Sequence, residues 1–195
     1  MQNINVLLYD GYTTLDALGP SEVLARMKDN YLIRYISQEG GIINGSAETQ
    51  IKTGKIYEIS DSDILLVPGG FGARKLVDDT KFLAYLKTLA DKSQNVLSVC
   101  TGSALLAKAG LLKDKKATSN KMSWEWVIKQ ATDVKWIRKA RWVVDGKYYT
   151  SSGIAAGIDM ALGFIADKHS SDIALKVARS LEYIWNENKE EDQFA

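Results

Sequence analysis

The sequence predicts an α/β fold, a three-layer sandwich with a mostly parallel central sheet and helices on both faces. Short apolar runs, among them "INVLLY" and "NVLSV", are typical of strands buried on both faces. Helix-length segments separate these runs, and this alternation favours parallel strands joined by helical crossovers. At 195 residues with 46% hydrophobic content, the chain is expected to form one domain over residues 1–195.

The N-terminal elements follow from local patterns. A first strand is predicted over Ile4–Tyr9, followed by a loop "DGYTTLD" and a helix through "GPSEVLARM", where apolar residues recur at helical spacing. The segment "YLIRYIS" alternates between apolar and polar residues as a strand does. Short strands are expected on either side of the Asn44-Gly45 turn, up to Ile59.

The C-terminal elements begin with "DILLVPGG", a buried strand that ends in a Pro-Gly-Gly stop. The patterns then predict, in order, a helix over Asp79–Lys92, a strand over Asn95–Val99, a helix over Thr101–Gly110, a strand pair turning at Asp145-Gly146, and helices over Ala155–Asp167 and Ser171–Asn186. The segment "KDKKATSNK" (Lys113–Lys121) is expected to be a solvated loop.

Composition narrows the classes of function. The formal net charge of +1 points to neither nucleic acid nor an anionic membrane as partner. A single cysteine cannot form an internal disulfide, so a reducing cytoplasm is the expected location, and the first residues do not resemble a signal peptide. The longest nearly apolar run, Gly153–Ala166, is too short to span a bilayer and contains Asp159. Neither a Cys/His cluster for zinc nor a dinucleotide-binding G-x-G-x-x-G is found, so no metal or cofactor is expected.

The single cysteine, Cys100, lies where an apolar strand gives way to a helix. Small residues, Ser98 and Gly102, lie two positions before and after it, as in the sharp strand-to-helix turn that exposes the nucleophile of many hydrolases. A helix N-terminus there would favour the thiolate and offer free backbone N–H groups to developing negative charge. The alternative is that Cys100 is a small buried hydrophobe, as most free cysteines are.

The single histidine, His169, lies in the polar segment "ADKHSSDIA" between the last two predicted helices. An exposed loop or capping position explains it, so a Cys-His dyad of the papain type is not expected. If Cys100 reacts, its partner must then be a carboxylate or a backbone group.

Three motifs, "DILLVPGGFGARKL", "VLSVCTGSALLAKAGLL" and "SSGIAAGIDMAL", resemble the ThiJ/PfpI superfamily, whose flavodoxin-like fold is related to class I glutamine amidotransferases. The resemblance extends from Ile4 to about Tyr183. The N-terminal "TTLDALGPSEVLARM" resembles the branch that contains isocyanide (isonitrile) hydratases, with an Asp in a D-x-x-G-P pattern.

The resemblance implies roles for particular residues. Cys100 matches the catalytic nucleophile, Asp16 the acid that hydrogen-bonds it, and Thr101 the residue whose backbone and hydroxyl help to form the pocket. From residues alone, Asp16 is equally well explained as a helix cap. The substrate-binding positions implied by the resemblance are Gly69, Gly70, Gly153, Ile154 and Asn120. Asn120-Lys121 departs from the A-T-T-H-W of many relatives, which removes an acid/base group from the site.

The expected function is therefore the cofactor-free hydration of a small isocyanide to an N-formamide. The enzymatic alternative is another activity of the superfamily, of glyoxalase, amidase or protease type, which the loss of histidine at Asn120 disfavours. The non-catalytic alternative is a ligand or redox sensor in which Cys100 is oxidised reversibly. A homodimer is expected from the resemblance and from five tryptophans that leave apolar surface to cover.

Overall fold

The computed structural model describes residues 1–56, 59 and 62–195, and across these residues the strands form two sheets. The strands are β1 (Gln2–Leu7), β2 (Tyr31–Ser37), β3 (Gly41–Asn44), β4 (Gln50–Lys55), β5 (Ile64–Val67), β6 (Asn95–Val99), β7 (Lys116–Ala117), β8 (Lys135–Trp136), β9 (Trp142–Asp145) and β10 (Tyr148–Ser151). The larger sheet has the order β3-β4-β2-β1-β5-β6-β10-β9, and β7 pairs with β8 in the smaller one.

The central part of the larger sheet is parallel. Strands β4, β2, β1, β5, β6 and β10 all pair in parallel, and only the edge strands β3 and β9 are antiparallel to their neighbours. Every residue of β5 and β6 is buried, as expected for strands covered on both faces. The predicted α/β fold class is confirmed.

The helices are α1 (Thr14–Ala25), α2 (Ala73–Leu76), α3 (Thr80–Lys92), α4 (Gly102–Lys108), α5 (Trp124–Ile128), α6 (Ala156–Lys168) and α7 (Ser171–Ser180). Helices α1, α6 and α7 pack together, and α2, α3 and α4 form a second packed group. The chain runs from β1 to β2 in one direction along the sheet and from β5 to β6 in the other. Because such crossovers are right-handed, α1 and α3 cover opposite faces.

The parallel register brings three loops together at one edge of the sheet. Val67 of β5 pairs with Ser98 of β6, and Ser151 of β10 pairs with Val99, so these three strands end side by side. The loops that follow them begin at Pro68, Cys100 and Ser152. The carboxyl ends of parallel strands are where ligand sites form in open α/β sheets.

Two predicted segments differ from the structure in the N-terminal and middle parts of the chain. Helix α1 begins at Thr14 rather than at Gly19, because the Thr14 backbone N–H and hydroxyl bond to Ser46 and anchor an earlier start. The expected solvated loop over Lys113–Lys121 is wrong in its second half, where β7 forms and Thr118 and Ser119 are buried against the sheet.

The last helix is shorter than predicted, since α7 ends at Ser180 rather than at Asn186. Buried Asp159 of α6 accepts hydrogen bonds from the Tyr183 hydroxyl at 3.1 Å and from the Asn186 backbone N–H at 3.0 Å. Arg141 also donates to Asp159, through Nε at 2.7 Å. These bonds hold the chain beyond Ser180 against α6, out of the helical path.

The strands predicted around Asn44-Gly45 are confirmed as β3 and β4, which pair antiparallel from Gly41↔Thr53 to Asn44↔Gln50. A single 3₁₀ turn, Ser46–Glu48, lies between them. The prediction extends to Ile59, and within it Tyr57 and Glu58 lie outside the described residues.

Candidate active site

Cys100 lies in the turn between β6 and α4, as predicted. Its φ of 56° is a left-handed conformation that a residue with a side chain seldom adopts. Hydrogen bonds hold the turn on both sides of the residue: its N–H donates to the Ser152 carbonyl at 3.1 Å, and its carbonyl accepts from the hydroxyls of Ser103 at 3.1 Å and Ser119 at 2.8 Å. Hydrogen bonds from three parts of the chain therefore hold the strained turn in this conformation.

Asp16 reaches the site from the first turn of α1. The Thr13 N–H donates to the Gly69 carbonyl at 2.8 Å, which ties the start of the helix to the loop after β5. The Asp16 carboxylate accepts from the Gly69 N–H at 3.0 Å through Oδ2 rather than capping its own helix, and the residue is fully buried. Its Oδ1 is also buried and has no nitrogen or oxygen partner among the described residues.

Asp16 and Cys100 titrate as a coupled pair. Burial raises the pKa of Asp16 to about 7, against smaller lowering effects from the Gly69 N–H and the Cys100 thiol. Burial, with a smaller contribution from the negative charge of Asp16, raises the pKa of Cys100 to about 12. The helix N-terminus was expected to favour the thiolate, but burial and the neighbouring carboxyl outweigh it. Above a pH of about 7 the pair thus holds one proton, and the higher pKa of the thiol places that proton on the sulfur.

Thr101 supplies the polar contacts that oppose this rise. Its backbone N–H and its hydroxyl both interact with the Cys100 thiol and lower the thiol pKa. The same hydroxyl accepts a hydrogen bond from the Gly70 N–H at 2.9 Å. The Gly70 N–H therefore donates to Thr101, and the Thr101 N–H and hydroxyl are the donors that lower the thiol pKa.

Gly69 lies where no side chain fits. A Cβ added there would lie 2.5 Å from the Thr101 N and 2.9 Å from the Cys100 Cβ. Because glycine has no Cβ, the loop after β5 can approach the nucleophile turn closely enough for Asp16 to bond the Gly69 N–H.

The late loop brings Gly153 and Ile154 beside Asn120. Ile154 has a φ of 37° and is 41% exposed, and the Asn120 side-chain amide occupies the space that a Cβ on Gly153 would need. Asn120 Oδ1 accepts from the Ser123 N–H at 2.9 Å, at the start of α5. The amide is thus held in place, with one face against the late loop.

A cavity of about 250 Å³ opens over Cys100. Its walls include five of the eight residues named from the sequence, namely Gly70, Cys100, Thr101, Asn120 and Ile154. Asp16 and Gly69 lie behind Cys100, and Gly153 contacts Asn120. The tertiary structure therefore brings all eight positions to one small site.

A sequence profile of the DJ-1/PfpI family matches residues 2–167. The chain belongs to the DJ-1/PfpI family. Isonitrile hydratase of Pseudomonas putida is 34% identical over 181 residues, which cover 92% of this chain and 78% of that enzyme.

Other known proteins also resemble the chain. The HTH-type transcriptional regulator CdhR of Pseudomonas aeruginosa is 27% identical over 91% of this chain, which spans only 54% of the regulator. The crystal structure of a ThiJ/PfpI family protein from Pseudomonas syringae superposes with a TM-score of 0.82 at 27% identity, covering 95% of this chain and 76% of that one. The resemblance to this family inferred from the motifs is confirmed.

Five cavity residues of this DJ-1/PfpI domain escaped the sequence reasoning: Thr13, Phe71, Arg74, Met122 and Ser123. Phe71 and Met122 are 85% and 96% exposed, so apolar side chains surround the mouth of the cavity. Arg74 lies in the motif "GGFGARKL", and its place about one turn after the two glycines is the feature of the sequence that could have indicated a role at the site. Its position in the cavity wall depends on how α2 packs, which the local pattern does not specify.

Larger clefts lie elsewhere on the molecule. One of about 570 Å³ lies between α1 and the C-terminal segment and includes Glu22, which pairs with Arg26 at 2.7 Å. Another, of about 700 Å³, lies beyond the ends of β1 and β2 and includes Lys75. A third, of about 350 Å³, lies beside Trp142 and Trp185. None of the three contains Cys100, so the smaller cavity is the one that matches the chemistry.

Within the described part of the chain, no three His, Cys, Asp or Glu side chains come together as metal ligands. Over the same residues, no helix is long and apolar enough to cross a membrane. His169 lies at the end of α6, where its Nε2 is 2.8 Å from the Tyr31 hydroxyl, distant in the fold from the thiol cavity.

Proposed function

We propose that this DJ-1/PfpI domain is a cysteine-dependent enzyme that hydrates small isocyanides to N-substituted formamides. Support comes from two directions: the isonitrile hydratase of Pseudomonas putida is 34% identical over most of both chains, and the buried Asp16–Cys100 pair has the groups that the reaction needs. The pair carries the proposal, because hydration of an isocyanide requires a nucleophile that attacks the terminal carbon and a group that protonates the same carbon.

In the first step the sulfur of Cys100 attacks the terminal carbon of the isocyanide. A C–S bond forms as the thiol proton passes to Asp16, and Asp16 delivers that proton to the same carbon, giving a covalent thioimidate and an ionised carboxylate. The Thr101 N–H and hydroxyl stabilise the sulfur as its proton leaves. A carboxyl with a pKa of about 7 is suited to this transfer near neutral pH.

In the second step water adds to the thioimidate carbon and the C–S bond breaks. One proton of the water moves to the substrate nitrogen, and the other returns to the Asp16–Cys100 pair. The products are the N-formamide and the enzyme with its original proton, so the cycle consumes one isocyanide and one water. The carboxylate left by the first step is the base that activates that water.

The size and walls of the cavity support a small substrate. A volume of about 250 Å³, with Phe71 and Met122 exposed at its mouth, accommodates a short apolar group better than a peptide chain. Asn120 is held by Ser123 and cannot act as an acid or base at neutral pH. These features disfavour the protease and glyoxalase alternatives.

Ligand or redox sensing is the second candidate, because a transcriptional regulator is among the relatives. Rapid oxidation of a cysteine by peroxide requires that the thiol be ionised in the resting protein. The raised pKa of Cys100 therefore favours an enzyme, in which Asp16 removes the thiol proton during the reaction.

The decisive experiment is a panel of isocyanides, glyoxals and peptides assayed with the wild type, Cys100→Ala and Cys100→Ser. We expect formamide formation by the wild type, no formamide with either variant, and a wild-type adduct whose mass equals protein plus isocyanide. The same protein treated with peroxide reports sensing. Turnover of a glyoxal without turnover of any isocyanide, or oxidation of Cys100 without turnover of any substrate, would overturn the proposal.

A further inference from the structure

The cavity over Cys100 has one charged residue in its walls, Arg74. Asp16 lies beneath the thiol, is fully buried and lines no part of the cavity. Lys121 points away, since its Nζ donates to the Thr118 hydroxyl at 2.9 Å and to the Ala140 carbonyl at 2.8 Å. Among the described residues, Arg74 is thus the charged side chain that a ligand meets in the cavity wall.

The guanidinium of Arg74 is held in position without a counter-charge. Its Cζ lies 4.5 Å from the centroid of the Trp126 ring, and its Nη2 lies 3.5 Å from the Ser123 hydroxyl. Among the described residues no carboxylate forms an ion pair with it. Glu125, the acidic residue of α5, pairs instead with Arg138 at 3.8 Å. Stacking on an aromatic ring orients the planar group and leaves its N–H donors available.

An arginine in this state is suited to a carboxylate, which it can bind through two parallel N–H···O bonds. The apolar mouth and the thiol below it suit the other parts of such a ligand. We propose that Arg74 selects isocyanides that carry a carboxylate, with the acid at the mouth and the isocyanide carbon at Cys100. This inference rests on the proposed function for its reaction, and on Arg74 for the choice of substrate.

The charge preference can be measured without isocyanides. Cys100 is the only cysteine, so alkylation by iodoacetate and by iodoacetamide reports the same thiol with an anionic and a neutral probe of similar shape. The ratio of the two rate constants cancels changes in thiol reactivity that affect both probes equally. We expect Arg74→Gln to lower the iodoacetate-to-iodoacetamide ratio roughly five- to tenfold, the effect of one opposite charge at a partly solvated mouth.

Two further variants separate a specific site from a general charge effect. Lys75→Gln removes a positive charge from the adjacent position of α2, whose side chain is at the other cleft, and we expect it to leave the ratio unchanged. Arg74→Lys should restore most of the ratio because it restores the charge. Added salt should reduce the wild-type preference and leave that of Arg74→Gln unaffected. An unchanged ratio in Arg74→Gln, or an equal loss in Lys75→Gln, would overturn the inference.

The enzymatic assay compares an isocyanide carboxylate with its methyl ester. We expect the wild type to favour the acid in kcat/KM and Arg74→Gln to lose that preference. If no isocyanide is hydrated while alkylation still depends on Arg74, the proposed function fails and anion selection at the thiol stands. If isocyanides are hydrated with no preference for the acid and alkylation is independent of Arg74, the substrate inference fails and the function stands.

Discussion

Asp16→Asn separates a proton donor from a residue that only shapes the turn. The amide keeps the size of the carboxyl and can accept from the Gly69 N–H, but it cannot deliver a proton to the reacting carbon. A general acid typically contributes ~10²–10⁴-fold to rate, so kcat should fall by about that factor while the fold is retained.

The same substitution should stabilise the protein at neutral and alkaline pH. Raising the pKa of a carboxyl from 3.8 to about 7 means that the folded state pays roughly 4 kcal/mol to hold it ionised. In Asp16→Asn, the amide NH2 would occupy the position of Asp16 Oδ1, which has no nitrogen or oxygen partner. Leaving this buried donor unpaired costs about 1–3 kcal/mol of folding free energy. The net gain in unfolding free energy is therefore about 1–3 kcal/mol above the pKa of Asp16.

The difference in unfolding free energy between Asp16→Asn and the wild type should change with pH. With a folded pKa above the unfolded one, Asp16 stabilises the wild type most at pH below 3.8, and that stability is lost as the pH rises through about 7. The advantage of Asp16→Asn in urea unfolding should therefore be small or negative near pH ~4 and largest near pH ~8. Wild-type kcat/KM should rise as the pH increases through about 7, since the reactive pair carries one proton rather than two.

Asp78→Asn is the matched control, because it removes an exposed carboxylate close to α2 and should change neither rate nor stability. Wild-type turnover in Asp16→Asn would show that Asp16 is structural and that the mechanism proposed here is wrong. A stability difference that does not vary with pH would refute the assigned burial of its charge.

Two further substitutions test the framework of the site. Gly69→Ala places a Cβ 2.5 Å from the Thr101 N, so we expect a loss of roughly 1–3 kcal/mol in unfolding free energy together with loss of turnover. A stable, active variant would contradict the close packing of this loop. Asp159→Ala leaves Arg141, whose side chain is 11% exposed, with only the longer 3.8 Å pair to buried Asp192, and should cost about 3 kcal/mol with faster proteolysis of the C-terminal segment. Unchanged proteolysis would mean that Asp159 does not hold that segment.

Local patterns were sufficient for much of the fold. Runs of apolar residues identified β1, β5 and β6, and amphipathic spacing identified α3 to within one residue at its start. Short elements such as α2, α5, β7 and β8 were missed because segments of two to five residues contain too little periodicity to stand out. The end of α7 was missed because Asp159, some twenty residues earlier, decides it.

The sequence by itself determined the position of Cys100 between a strand and a helix, because small neighbours and the change in hydrophobic period are local properties of the chain. Only the tertiary structure decided what surrounds the thiol. Asp16 and Gly69 are 53 positions apart, and the parallel pairing of β1 with β5 is what brings the start of α1 beside the loop after β5. The pKa of the pair and the exposure of Arg74 depend on burial and on neighbours distant in sequence. Both are long-range quantities, set by packing after the chain has folded.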